Sequence, residues 1–285
     1  MKHILFLLPL QLTLALLQPP VQAQSPADML GGGNIYMHRL EQAEDQLKLL
    51  RQLGCGMCRF PISPTDYRPD TNGDVPVERL DTLVLLAHRH GLEPMLLFEY
   101  YTKSHGEIGS YEDWFQTGQA FAQRFGPNSE WLKSQGIGQW GIRFYSAINE
   151  PMWKDNNPRE IVVKNYVQAM EGLADGVHQV NPLLRVSPGG FQEIPLIEKN
   201  PYGPAIARLY NEGKLHAIDI HRYYDVQHQP MAGTYRNSLQ NQFDRVKEAW
   251  GITTNIHFYT TEFNFKKRQI TEEEAAKGFL TAIWD

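Results

Sequence analysis

Cysteine is nearly absent: the chain of 285 residues has two. That excludes a small disulfide-stapled scaffold and leaves too few thiols for a structural zinc site of four ligands. An excess of basic charge is missing as well, with 27 Lys and Arg against 32 Asp and Glu for a formal charge of −5. A mildly acidic balance of this kind suits neither nucleic acid nor an anionic membrane surface, so no nucleic-acid partner is expected. Past the amino-terminal segment there is no repeat, linker or low-complexity tract. With 42% hydrophobic and 21% charged residues the composition is that of a globular protein, which excludes disorder and collagen.

The one long apolar run lies at the start. Lys2 supplies a positive end, Ile4 to Leu17 are almost wholly apolar, and Val21-Gln22-Ala23 resembles a small-residue cleavage site. The run is short for a bilayer span, and no cysteine follows the cleavage site to carry a lipid. Residues 1–23 are therefore read as a secretory signal peptide and 24–285 as a single domain. The expectation is a secreted or periplasmic protein with no membrane anchor after cleavage. Cys55 and Cys58, in Cys-Gly-Met-Cys, could form a disulfide or redox pair in an exported chain. Their position at the start of a strand points instead to buried structural thiols.

Short β-like runs alternate with amphipathic helical stretches along the mature chain. Strands are expected at Asn34–His38, Met57–Ile62, Pro94–Tyr100, Gly141–Ile148, Leu184–Ser187, Ala217–Tyr223 and Ile256–Thr261. Between them, apolar residues recur at helical spacing, as in Leu40, Ala43, Leu47 and Leu50, with Gly54, Gly91 and Gly126 as stops. Ser110 with Asp113 and Thr271 with Glu274 have the spacing of capping boxes. Strict alternation implies a parallel sheet with helical crossovers. Seven such units make up most of a (β/α)8 TIM barrel, and no eighth strand is visible, so a barrel truncated at its carboxyl end is expected. A Rossmann or flavodoxin-like sheet would want a glycine-rich loop after the first strand, whereas Gly31 to Gly33 precede it.

In such a barrel the chemistry lies at the carboxyl ends of the strands. Those ends here are Arg59-Phe60-Pro61, Asn149-Glu150-Pro151, His221-Arg222-Tyr223 and Glu262-Phe263-Asn264. Two glutamates on opposite sides of a barrel can face each other across its mouth. Retaining glycoside hydrolysis needs carboxyl groups about 5 to 5.5 Å apart, and inversion needs a wider gap. Strand alternation gives Ile256, Phe258, Thr260 and Glu262 one parity, and on that ground Glu262 is expected to point inward. Glu99 is a third carboxylate, with pocket and structural ion pair equally open.

The set Ile148-Asn149-Glu150-Pro151, Asp219-Ile220-His221-Arg222-Tyr223 and Thr260-Thr261-Glu262-Phe263-Asn264 resembles clan A of the glycoside hydrolases. Arg59-Phe60-Pro61-Ile62 looks like family 5, the cellulase family, and the surroundings of Glu262 look as much like family 39. The resemblance implies Glu150 as acid/base and Glu262 as nucleophile. It also implies Arg59 and Tyr223 as holders of ionised Glu262, Asn149 as a partner of the sugar 2-hydroxyl, and His221 as a contact of Glu150 or sugar. Trp153 is the best of the aromatics beyond strand ends for stacking on a sugar, ahead of Tyr100, Tyr101 and Tyr224. The family's frequent histidine after strand three has no counterpart unless His105 reaches in.

No cofactor is expected. His88 and His90 lie two apart on a helix and do not converge, and His216, Asp219 and His221 could supply only part of a metal site. The expected partner is a poly- or oligosaccharide. A different class stays open: a non-catalytic carbohydrate-binding protein or inactive remnant, motivated by the missing eighth strand.

Overall fold

The alternating pattern of the sequence becomes an alternation of helices and strands. The computed structural model describes residues 31–36, 39–64, 77–99, 108–151, 159–191, 200–224, 239–265, 271–274 and 276–277. In chain order the elements are α1 (Leu40–Gln52), β1 (Met57–Ile62), α2 (Glu78–Arg89), β2 (Glu93–Phe98), α3 (Tyr111–Phe125), α4 (Glu130–Ser134), β3 (Phe144–Asn149), α5 (Arg159–Val180), β4 (Arg185–Gly189), α6 (Tyr202–Asn211), β5 (Ala217–Tyr224), α7 (Leu239–Trp250) and β6 (His257–Phe265). Residues 1–23, read from sequence as a signal peptide, and Trp153, Tyr100, Tyr101 and His105 lie outside the described residues, as does the side chain of Tyr224.

Local chemistry fixes several of these bounds. The Ser110 hydroxyl accepts from the Asp113 amide at 3.2 Å while the Asp113 carboxylate accepts from the Ser110 amide at 2.9 Å, the reciprocal box expected at the start of α3. Gly126 ends that helix. Helix α4 was not expected from the pattern; the Ser129 hydroxyl caps it by accepting from Leu132 N at 3.2 Å. The Thr271 and Glu274 box is also formed.

Strands β1 to β4 form a parallel sheet in sequence order, and β5 pairs β6 in parallel. A single parallel bridge, Phe191 with Ile220, joins the two sets, with His216 N donating to Val186 O at 2.9 Å below it. Every neighbour is thus the next strand in sequence, and parallel pairing forces each connection to cross over outside the sheet. Of the expected first strand, Asn34–His38, the described residues 34–36 make one bridge, Asn34 with Arg59, and Ile35 N donates to Arg59 O at 2.9 Å; residues 37–38 lie outside the described residues.

The wall curls into a partial α/β barrel. Inside it, Phe144 of β3 meets Tyr259 of β6 edge to face at 5.9 Å, and the Arg185 guanidinium of β4 lies 5.2 Å from the Phe144 ring. Above that layer sit Ser146 and Asp219, and above these Arg59, His221 and Glu262. Stacked layers of inward side chains are the usual filling of this architecture. Among the described residues, no strand pairs β6 on its far side, and Arg59 spans that space by reaching from β1 to Glu262. Outside, Phe98 packs against Trp114 and Phe121 of α3, and Phe243 of α7 stacks on Phe258 at 4.3 Å. Cys55 and Cys58 are buried and free, with both thiol pKa values pushed up by burial. No described helix is long and apolar enough to cross a membrane.

Candidate active site

Two bulges shape the upper end of the barrel. On β3, Ala147 pairs Pro188 and Asn149 pairs Gly189, so Ile148 is an extra residue. It takes φ 61° and is 1% exposed, turned into the apolar layer under the helices. On β6, Thr260 pairs Ile220 but Glu262 pairs His221, so Thr261 is the extra residue. A bulge breaks the two-residue period and lets consecutive side chains share a face.

This corrects the alternation argument for Glu262. Phe258 stacks on a helix, so the parity shared by Ile256, Phe258 and Thr260 is the outward one. Tyr259 and Thr261 point inward, and Glu262 joins them because Thr261 is inserted before it. The inward placement of Glu262 is right; strict alternation would have placed it outside.

A compact polar group results. Arg59 Nη1 donates to Glu262 Oε1 at 3.0 Å, and Arg59 Nη2 donates to Asn149 Oδ1 at 3.1 Å. The Tyr223 hydroxyl donates a short hydrogen bond to Glu262 Oε2. His221, with a fully buried side chain, places Nδ1 2.6 Å from Glu150 Oε1 and Nε2 3.5 Å from Glu262 Oε1. Glu150, His221 and Glu262 each offer an atom within 4.8 Å of the others. Of the sequence-predicted residues, Glu150, Glu262, Arg59, Asn149, His221 and Tyr223 are therefore together, while Trp153 is not described. The backbone of Glu99 extends the ladder beside β2: its N donates to Ile62 O and its carbonyl accepts from Asn149 N, both at 3.0 Å.

A cleft of about 220 Å³ opens beside Glu262, walled by Gly32 to Asn34, Arg59, Tyr223 and Thr261 to Phe263. The glutamate side chains are about one-fifth exposed, so solvent and ligand reach both. The same three donors could be arranged around a cation. One would have to displace Arg59 and Tyr223 from Glu262 and His221 from Glu150, and would face the Arg59 charge, so the donor set fits a metal poorly.

Beneath the cluster is Asp219, a fully buried carboxylate on β5 that belongs to the resemblance motif around His221 and has no role assigned by that resemblance. Thr261 Oγ1 donates to its Oδ1 through a short contact, and Ser146 Oγ lies 3.2 Å from its Oδ2. Burial pushes its pKa up to about 6, against the opposing pull of the Arg59 charge, Thr261, His221 and Ser146. Burial likewise pushes the Tyr223 phenol up, reinforced by its bond to Glu262.

Two glycines at the end of β4, Gly189 within it and Gly190 just past it, also shape the site. A Cβ on Gly189 would lie 2.5 Å from the Ile148 carbonyl carbon, and one on Gly190, at φ +87°, would lie 2.2 Å from His221 Nε2. Gly190 O also accepts from Glu150 N at 3.0 Å. The signal was available as the Pro188-Gly189-Gly190 run at a strand end, where glycine marks close backbone approach.

No protein-family model matches the chain, and no curated protein matches it. Solved structures do. A family 39 glycoside hydrolase from Bacteroides cellulosilyticus WH2 matches 88% of this chain and 53% of its own at 17% identity, with a TM-score of 0.60. A glucosidase from Croceicoccus marinus matches 83% and 51% at 12% identity with a TM-score of 0.64. XacCel5A, solved in complex with cellopentaose, matches 90% and 85% at 14% identity with a TM-score of 0.58. The chain spans about half the length of the first two. At these identities the likeness shows the fold: the wall of strands is that of the TIM-barrel glycoside hydrolases, and family 39 is one of the two whose motifs the sequence resembles.

Two outcomes follow from the packing under the site. Gly190→Ala should lower unfolding stability by about 1–3 kcal/mol in urea titrations, because alanine is strained at φ +87° and would strike the His221 ring. Asp219 is harder to ionise in the fold than in the unfolded chain, whose value is near 3.8, so its contribution to native stability should fall as pH rises from 3.8 to about 6 and then level off. The stability of Asp219→Asn relative to wild type should therefore grow by about 2 kcal/mol between pH 4 and pH 7. Parallel pH profiles for the two proteins would show that Asp219 titrates normally.

Proposed function

We propose that the chain is a glycoside hydrolase acting on a β-linked poly- or oligosaccharide by double displacement, with Glu262 as nucleophile and Glu150 as acid/base. The observation that carries this reading is the approach of the two carboxylates, one just past the end of β3 and one on β6, which bring an oxygen of each within 4.8 Å of the other. So close an approach supports direct attack by one carboxylate, for which the retaining mechanism needs the narrower of the two known spacings.

Each neighbour has a task in the scheme. A Glu262 oxygen attacks the anomeric carbon as the glycosidic C–O bond breaks, and Glu150 gives its proton to the departing oxygen. Water then enters on the same side, Glu150 takes its proton, and the sugar leaves Glu262 with its configuration retained. Arg59 and Tyr223 engage the two oxygens of Glu262 and fix the direction of attack. Since Asn149 accepts from Arg59 through Oδ1, its amide N–H2 is left to donate to a sugar hydroxyl. His221 meets Glu150 at 2.6 Å and so steadies the group whose proton comes and goes.

The resolved cellopentaose complex of XacCel5A supports an oligosaccharide partner. The pattern of residues 1–23 supports export to a secreted or periplasmic location.

Glu150→Ala should slow hydrolysis of unactivated oligosaccharides by about 10²- to 10⁴-fold, and much less for aryl glycosides whose leaving group needs no proton. Glu262→Ala should bind cellopentaose without turnover. Proton NMR of the first-formed product of the wild type should show the β-anomer. An α-anomer, or wild-type activity in Glu262→Ala, would overturn the assignment. Binding without turnover by the wild type itself would favour a carbohydrate-binding protein.

A further inference from the structure

We propose that Asp219 and Thr261 are positioning residues: the bond between them holds the β6 bulge that turns Glu262 into the cleft. The inference rests on the hydrolase reading for its catalytic consequence, but its structural content stands apart from activity.

Phe258 and Thr260 face the helices and Tyr259 faces the interior, so Glu262 would emerge on the helix side of an unbulged β6. An extra residue must be inserted, and the ladder by itself does not say where. If the insertion moved beyond Glu262, Thr261 would pair with His221 and Glu262 with Arg222, and the carboxylate would leave the barrel.

Thr261 is fixed in place from the interior. Its hydroxyl donates to Asp219 Oδ1, and its carbonyl lies 3.5 Å from Arg59 Nη1. Asp219 is itself anchored on the neighbouring strand, two residues before His221 and on the same face. Withdrawing Thr261 would leave a fully buried carboxylate oxygen without its donor.

The remaining oxygens make Asp219 more than a passive acceptor. Ser146 Oγ lies 2.9 Å from Pro188 O and 3.2 Å from Asp219 Oδ2, yet it has one proton to give. With Asp219 protonated on Oδ2, a single chain satisfies every atom: Asp219 donates to Ser146, Ser146 donates to Pro188 O, and Thr261 donates to Oδ1. Burial raises its pKa to about 6, so this arrangement holds below that pH, and above it Thr261 still donates to Oδ1 while Ser146 stays on Pro188 O. The chain links β3, β4, β5 and β6 immediately below the two glutamates. The charged and titratable groups facing Asp219 are Arg59 of β1, His221 of β5 and Tyr259 of β6, with Tyr166 and Tyr210 from α5 and α6.

The test uses the full chain with Thr261→Val, which keeps the shape and removes the hydroxyl. Thr261→Ala covers the case in which the valine variant does not fold, and Thr261→Ser restores the hydroxyl. Crystal structures should show the Glu262 carboxylate moved from 3.0 Å to more than 4 Å from Arg59 Nη1 in the valine or alanine variant, and returned in the serine variant. On 4-nitrophenyl β-glycosides, kcat should fall about 10- to 100-fold in Thr261→Val with KM little changed, and recover in Thr261→Ser. An intact bulge with Glu262 still 3.0 Å from Arg59 in Thr261→Val overturns the inference, whatever the activity. A displaced Glu262 in a protein whose wild type hydrolyses nothing supports the positioning role and removes the hydrolase reading instead.

Discussion

The upper end of this barrel depends on one buried cation. Arg59 is 6% exposed, and a guanidinium taken that far from water must be met by opposite charge and by acceptors. It finds Glu262 Oε1 on β6 and Asn149 Oδ1 on β3, so one side chain from β1 ties together three parts of the wall. Among the described residues no backbone ladder joins β1 to β6, which makes the ion pair the direct link between them. The fork geometry matters: a lysine could neutralise the glutamate but could not hold the asparagine amide in a fixed orientation at the same time.

That requirement explains why regular strands would not suffice. Arg59 can be satisfied only if Asn149 and Glu262 both point inward, and on unbroken strands both would face the helices. The bulges at Ile148 and Thr261 provide this, each placed just ahead of a glutamate. At Ile148 the arrangement is costly. A β-branched residue at φ 61° is a steric outlier, and Glu150 at φ 49° follows two residues later. Such backbone persists only where the surroundings overdetermine it, here through burial of the Ile148 side chain and the bond from Glu150 N to Gly190 O.

Much of the framework was legible in the sequence because its causes are local or periodic. Met57–Ile62 was read to the residue, and the Ser110 capping box and the Gly126 stop depend on neighbours three or four positions away. The residue types at the strand ends led to six side chains that do meet. What was not legible depends on contacts distant in sequence. The inward turn of Glu262 is decided by the bond from Thr261 to Asp219, 42 positions earlier than Thr261, and no periodicity carries that information. Parity reached the correct side for Glu262 by the wrong route, since Phe258 marks that parity as outward.

The cost of the bulges and the chemistry of the glutamates are two aspects of one arrangement. A strand is a rigid platform, so a carboxylate mounted on it is positioned more firmly than one on a loop. Alternation, however, gives a strand only every second side chain on the inner face. Asn149 and Glu150 are adjacent and both inward, as are Thr261 and Glu262. In each pair one member is a partly exposed carboxylate and the other is fastened to the barrel interior, through Arg59 in one case and Asp219 in the other. The bulge thus doubles the density of inward groups where the carboxylates must approach within 4.8 Å, while the flanking residues keep the register of the sheet. Glu150 and Glu262 can approach so closely because His221 and Arg59 supply hydrogen bonds and positive charge between them, which like-charged carboxylates at that distance require.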